Sequence, residues 1–195
     1  MSNVKTKVFP LTNNYNNLQY DSEGLWSITH PGDADIISLM IKKFISNHNK
    51  NLVLEDLTIL EGTAGLGGNI FSFAKHFSKV KGIELDSNRF KMLESNLSCY
   101  NFDNVEIENG NCIDFLKENF DIYFFDPPWG GPKYKSKESI DLYLGKFNLN
   151  EVVKKIPKNK YIIFKLPYNF NINLLKDYDL VIKKLGNILI ILLFS

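Results

Sequence analysis

From Leu57 to the C-terminus, short apolar runs alternate with stretches whose apolar residues recur at helical spacing, and this alternation limits the fold more than any other feature. Parallel neighbours need a crossover, and the intervening stretches are long enough to supply one, so the chain reads as βα units stacked into a mostly parallel sheet. Strands are expected near 57–61, 79–85, 104–109, 120–126, 159–166, 178–184 and 187–194. Helices are expected near 67–77, 87–101, 111–118, 138–144, 149–156 and 171–176. One more is expected over 33–47, where Ile36, Ile37, Met40, Ile41, Phe44 and Ile45 recur at helical spacing behind Pro31, which suits a first turn. The last two strands are joined by Gly186-Asn187, a connection short enough to demand an antiparallel hairpin at or near the sheet edge. The expected class is α/β: a seven-stranded, mostly parallel sheet with an antiparallel last strand and helices on both faces.

Composition narrows the partners. Lys+Arg of 23 against Asp+Glu of 22 gives a formal charge of +1, so an anionic partner must be held locally rather than by a global polycation. Arg89 is the one arginine of the chain. Cys99 and Cys112 fit no zinc or disulfide spacing and read as reduced thiols of an intracellular, soluble protein. His30, His48 and His76 show no ligand spacing, so no metal is expected, and no run is long enough to span a membrane. Residues 1–22, with Asn13, Asn14, Asn16 and Asn17, are expected to be a flexible arm or a lid, ahead of one domain over 23–195 that works as a monomer.

The chemistry begins at Leu57-Thr-Ile-Leu-Glu61-Gly-Thr63-Ala64-Gly65-Leu-Gly67-Gly-Asn69, an apolar strand, an acid and a glycine-rich turn opening a helix. Gly65 and Gly67 let the backbone turn tightly and bring main-chain amides to a ligand, although such a turn can also merely pack. The second strand ends at Glu84-Leu85, about twenty residues on, where a carboxylate accepts ribose hydroxyls. A pyrophosphate would find Glu61 awkward before the turn, whereas a sulfonium cofactor with an ammonium group would welcome it, which favours S-adenosylmethionine over NAD. The third strand runs into Asn111-Cys112, placed to read an adenine edge; Asn111 serves equally well as a helix N-cap.

The fourth strand breaks into Asp126-Pro127-Pro128-Trp129 at the same edge of the sheet. An Asp-Pro-Pro-aromatic tetrad suits methyl transfer to the exocyclic amine of a planar ring. The amine's lone pair is delocalised, so the site must accept its hydrogens, from Asp126 and a carbonyl such as that of Pro127, while Trp129 offers the ring a flat face. A Pro-Pro turn with a core tryptophan is the plain structural alternative.

Pro127-Pro-Trp-Gly-Gly-Pro-x-Tyr134, together with Glu23-Gly-x-x-Ser27-Ile-Thr29, resembles the trimethylguanosine synthases, which methylate the 2-amino group of a 7-methylguanosine RNA cap. The resemblance runs from Glu23 to the C-terminus and implies the class I, Rossmann-like methyltransferase fold. It implies that Trp129 stacks on the cationic 7-methylguanine, that Tyr134 approaches the cap phosphates, and that the segment carrying Trp26 and Ser27 closes over cofactor and substrate. Glu84 matches the family's ribose acid, and Gly65, Gly67 and Asn69 its glycine-rich turn. Within the matched stretch the chain departs from the pattern in three places, besides the Asn-rich arm that stands where the family has a basic extension: Asp126 stands where the family has Ser, Leu166-Pro167-Tyr168-Asn169 replaces Leu-Pro-Arg-Asn, and Thr29-His30-Pro31 replaces Thr-Pro-Glu. Lys133 or Lys165 then has to replace the missing arginine's charge on the triphosphate, without its bidentate fork. Tyr168 reads either as a second stacking wall or as part of the core, with Asn169 beside it. The expected partner is capped RNA; the alternatives are an amino methyltransferase of ribosomal RNA or DNA, and an inactive methyltransferase fold that binds RNA.

Overall fold

The computed structural model describes residues 4–195. In chain order the elements are α1 (Lys5–Val8), α2 (Ser22–Ser27), α3 (Pro31–His48), β1 (Thr58–Glu61), α4 (Ile70–His76), β2 (Lys79–Glu84), α5 (Ser87–Leu97), β3 (Val105–Asn109), β4 (Ile122–Phe125), β5 (Tyr143–Leu144), β6 (Phe147–Asn148), α6 (Leu149–Lys155), β7 (Tyr161–Pro167), β8 (Leu180–Leu185) and β9 (Ile188–Phe194). Seven strands form one sheet in the order β3-β2-β1-β4-β7-β9-β8. Every pairing from β3 to β7 is parallel, and β9 runs antiparallel to both of its neighbours, β7 and β8. The two-residue hairpin thus puts β8 at the edge and inserts the last strand beside β7, as the short connection requires.

The middle strands are apolar without interruption because both of their faces are covered. Ile122 and Phe124 of β4, Tyr161 and Ile163 of β7, and Ile190 and Leu192 of β9 face α3 and α4, meeting Ile37, Ile41, Ile45 and Phe73. Tyr123 and Phe125, Ile162 and Phe164, and Ile191 and Leu193 turn to the other side, where Leu149 and Val152 of α6 close the core. The edges are different: β3 exposes Glu106 and Glu108, and β8 exposes Lys183 and Lys184, charges that discourage further strand pairing.

One expected helix is absent. Residues 138–144 do not coil; they lead into the hairpin of β5 and β6, which turns through Gly145 in a left-handed conformation with φ of 60°. Ile140, Leu142 and Leu144 are buried while Asp141 and Tyr143 are exposed, the two-residue period of an extended chain. The segments expected as helices over 111–118 and 171–176 are short 3₁₀ turns, Cys112–Phe115 and Ile172–Leu175.

The segment expected as an arm is anchored on α5 through Asn17 and Gln19, with Ser95 donating to the Asn17 carbonyl at 3.0 Å. Val8, Phe9 and Leu18 are buried with Leu66 and Phe71. Asn96 accepts the Gln19 amide at 2.7 Å and donates to the Gln19 carbonyl at 3.0 Å, a strand-like clasp made by one side chain. Arg89 of α5 spans Asp21 and Glu23, both at 3.0 Å, while Asp21 also caps α2 by accepting the Gly24 amide. The next residues press on the glycine-rich turn: a Cβ on Gly68 would lie 2.7 Å from the Thr29 carbonyl oxygen. Arg89→Ala is expected to speed chymotryptic cleavage within 15–26 several-fold while the rest of the sheet keeps its far-ultraviolet signature, because the segment's local opening free energy falls and the core's does not.

Candidate active site

Glu61, Glu84 and Asp126 end three adjacent strands, or directly follow them, at the carboxyl edge, where the strand order reverses about β1 and β4 and crossovers leave a crevice. Local hydrogen bonds fix the turn between β1 and α4. Ala64 donates to the Ile83 carbonyl at 2.9 Å, and Gly65 donates to Glu84 Oε2 at 2.8 Å. Glu84 Oε1 accepts from Asp86 at 2.9 Å, so the buried carboxylate is held by two backbone amides, each oxygen keeping a lone pair for another donor. Gly65 and Gly67 adopt φ of 57° and 98°, the left-handed region that glycine enters without a Cβ penalty.

Glu61 is fully buried. Its Oε1 accepts from Asn69 Nδ2 at 3.0 Å, while Glu61 Oε2 and Asn69 Oδ1 have no partner among the described residues. Burial, first of all, pushes the Glu61 carboxyl well above its ordinary range; Asn69 and Lys165 pull it down, and the neighbouring Asp126 and Glu84 push it up. The described side chains at this point are three carboxylates and one buried ammonium. Two orphaned acceptors in such a pocket fit a ligand that carries a positive charge and N–H donors, and would repel a pyrophosphate.

Thr63 ties the turn to the loop beyond β4, its Oγ1 accepting the Asp126 amide at 2.7 Å. Asp126 pairs with Lys165 of β7, whose side chain is 6% exposed and whose ammonium lies 5.4 Å from the centre of the Trp129 ring. The Trp129 N–H lies near enough to Asp126 to favour its charge but closes no hydrogen bond of good geometry. Trp129, Tyr134 and Tyr168 form a row: Trp129 meets Tyr134 edge-on at 5.3 Å, and Tyr134 lies 6.4 Å from the half-exposed Tyr168. Asn169 spends both side-chain donors on the loop, reaching the carbonyls of Tyr134 at 2.9 Å and Lys137 at 2.8 Å.

The structure brings most of the expected residues to this one edge and gives several a definite local task. Asn111 accepts the Ile113 amide at 3.1 Å, so it caps the following 3₁₀ turn. Cys112 is buried against Gly62 and Phe125, and burial pushes its thiol up to about 12. Leu85 is 70% exposed and Trp26 73%, two apolar side chains left open to a ligand or to solvent. Lys133 is exposed, whereas Lys165 is buried in its ion pair; of the two lysines expected to meet phosphate, only Lys133 is free to reach outward. The role of Lys165 was the part least evident beforehand, although a lone lysine between Phe164 and Leu166 in a strand covered on both faces must find a counter-charge.

This sheet order, with the antiparallel strand inserted next to the edge and the acid–glycine turn at the carboxyl side, defines a Rossmann-like methyltransferase. A sequence profile of the RNA cap guanine-N2 methyltransferases matches residues 57–191, and the chain belongs to that family. An uncharacterized protein of Acanthamoeba polyphaga mimivirus is 32% identical, over 89% of this chain and 77% of its own length. The trimethylguanosine synthase of Schizosaccharomyces pombe is 27% identical, over 88% of this chain and 75% of its own. Among solved structures, the T. thermophilus 16S rRNA N2 methyltransferase in complex with AdoMet and guanosine shares the fold, with a TM-score of 0.61 at 15% identity, over 82% of this chain and 43% of its own.

The raised Glu61 carboxyl has a measurable cost. A group whose pKa is raised by folding contributes stability below its unfolded value and loses it as pH rises through the folded one. Glu61→Gln is therefore expected to melt at a higher temperature than the ligand-free wild type at pH 8, with the difference vanishing as pH falls toward 4.5, the ordinary carboxyl value. Calorimetry across that range checks it.

Proposed function

We propose that this protein transfers methyl groups from S-adenosylmethionine to the exocyclic 2-amino group of guanine in a 7-methylguanosine RNA cap. The observation that carries the reading is the juxtaposition of two half-sites: the acidic pocket with its unpartnered Glu61 and Asn69 oxygens, and the Asp126-Pro127-Pro128-Trp129 loop joined to it through Thr63.

S-adenosylmethionine supplies an electrophilic methyl group. Glu61 Oε2 and Asn69 Oδ1 would accept from its ammonium, the turn through Thr63, Ala64, Gly65 and Gly67, whose Ala64, Gly65 and Gly67 amides are spent within the protein, would shape its approach, and Glu84 would use its spare lone pairs on the ribose hydroxyls. Leu85 offers an apolar side chain to the adenine, beside the capped turn at Asn111 and the inert Cys112. At the acceptor, Asp126 and the Pro127 carbonyl take the hydrogens of the amine and aim its nitrogen at the methyl. The amine loses a proton readily once methylated, so water or Asp126 suffices as base. Trp129 carries the base, with Tyr134 and Tyr168 extending the wall, and Asn169 holds their loop in place. Lys133 faces the cap phosphates as a point charge. Trp26 and Ser27 close the crevice from the segment that Arg89 anchors.

A second reading, methyl transfer to a guanine amine within ribosomal RNA, draws on two observations: Tyr168 stands where a phosphate-gripping arginine is expected, and Lys165 is engaged by Asp126. One experiment separates the two. Labelled S-adenosylmethionine is offered 7-methylguanosine diphosphate, guanosine diphosphate and uncapped RNA in parallel. Label on the methylated cap alone is expected; label on uncapped RNA moves the protein to the second reading. Because a cation over an indole face contributes roughly 1–2 kcal/mol when desolvated, Trp129→Ala is expected to lower kcat/KM for the methylated cap about tenfold or more.

A further inference from the structure

Four charged residues are buried among the described ones: Glu61, Lys81, Glu84 and Lys165. Lys81 is neutralised by two carboxylates, Glu118 at 2.9 Å and Glu108 at 3.2 Å, away from the crevice. Lys165 is different. Among the described residues it has one ionic partner, Asp126, and its ammonium lies 5.4 Å from the centre of the Trp129 ring. Both of the groups it touches belong to the loop read above as the acceptor site. A bulk-facing lysine would bring solvent with it; this one is enclosed by a strand whose residues from Tyr161 to Pro167 are all buried, so its position is set by packing.

We propose that Lys165 is a positioning residue of the acceptor site, holding the Asp126 carboxylate ionised and fixed beside the Trp129 ring so that a free carboxylate lone pair faces the incoming amine. The proposal rests on the reading of Asp126 as the acceptor of the amine's hydrogens. The need for it follows from the surroundings. Asp126 stands at the end of β4 beside the buried Glu61 of β1, with Glu84 of β2 behind that, and these carboxylates offer Asp126 no stabilisation of its charge. Burial pushes the Asp126 carboxyl above its ordinary value, and the Lys165 charge and hydrogen bond, then the Trp129 N–H, pull it only part of the way back. A protonated carboxyl would turn one oxygen into a donor and leave the amine only a neutral, weaker acceptor. Lysine reaches Asp126 from the neighbouring strand with a single compact charge.

The test uses two readouts. Trp129 fluorescence is titrated against pH without cofactor or substrate, in a Trp26→Phe background that leaves Trp129 as the only tryptophan, for Lys165, Lys165→Met and Lys165→Arg. Loss of a close counter-charge is expected to raise the midpoint by about one pH unit or more in Lys165→Met, while Lys165→Arg keeps it near wild type. Equal midpoints in all three overturn the proposal. Activity on whichever acceptor the wild type uses is then profiled: the acid limb of kcat is expected to move upward with the fluorescence midpoint in Lys165→Met, with KM for S-adenosylmethionine unchanged and with rescue in Lys165→Arg. An unshifted limb with a uniformly lower kcat makes Lys165 a packing residue and overturns the proposal as well. Label on uncapped RNA would remove the cap reading and leave this titration standing. Should Lys165→Met fail to fold, stability decides: Asp126→Asn alone strands a buried ammonium, so the double variant Asp126→Asn/Lys165→Met is expected to melt higher than Asp126→Asn, and the reverse order refutes the pairing.

Discussion

The carboxylate of Glu84 accepting the Gly65 amide is the contact on which the geometry of the crevice depends. It joins the end of β2 to the left-handed turn after β1, which the backbone could otherwise leave open, and it does so with a charge that water cannot easily screen. From there the connections run outward: the Ala64 amide to the Ile83 carbonyl, the Asp126 amide to the Thr63 hydroxyl, the Asp126 carboxylate to Lys165 and so to β7. Four strands are thereby linked across their carboxyl ends by side chains, in addition to the ladder below them. The same row of contacts connects the two half-sites proposed above, so a shift in the turn reaches the loop after β4.

Much of this was legible from residues alone, because the relevant signals are local. A glycine-rich turn following an apolar run ending in an acid has few uses, and a two-residue link between apolar runs permits one topology. The helix expected over 138–144 shows where locality misleads. Ile140, Leu142 and Leu144 carry a clear two-residue alternation, but it is short and embedded among residues compatible with a helix, and the isolated bridge from Ile140 to Phe170 that fixes it is a long-range contact. The pairing of Lys165, read from sequence as a candidate for phosphate, with Asp126 was not legible for another reason. Its meaning depends on which strand lies beside β4, and adjacency of β4 and β7 is a property of the sheet, not of either segment.

The N-terminal segment illustrates how composition can understate order. Its asparagines suggest a chain with nothing to bury, yet Phe9 and Leu18 are covered and Asn96 satisfies the backbone of Gln19 as a strand would. The lone arginine of the sequence is spent here rather than on phosphate, gripping Asp21 and Glu23. Segment 22–29 therefore reaches the crevice as a placed wall, with the Thr29 backbone against Gly68 and Trp26 left standing out from it.

Inserting β9 between β7 and β8 has a consequence for how the chain is made. β8 pairs with no strand but β9, and β7 has β4 on one side only until β9 arrives. A nascent chain complete through β8 therefore holds an open, apolar β7 edge and lacks Ile190, Ile191, Leu192 and Leu193, which serve the cores on both faces. Synthesis thus supplies β9, which lies between β7 and the edge strand β8, only after the other six strands of the sheet, and its arrival covers the apolar β7 edge.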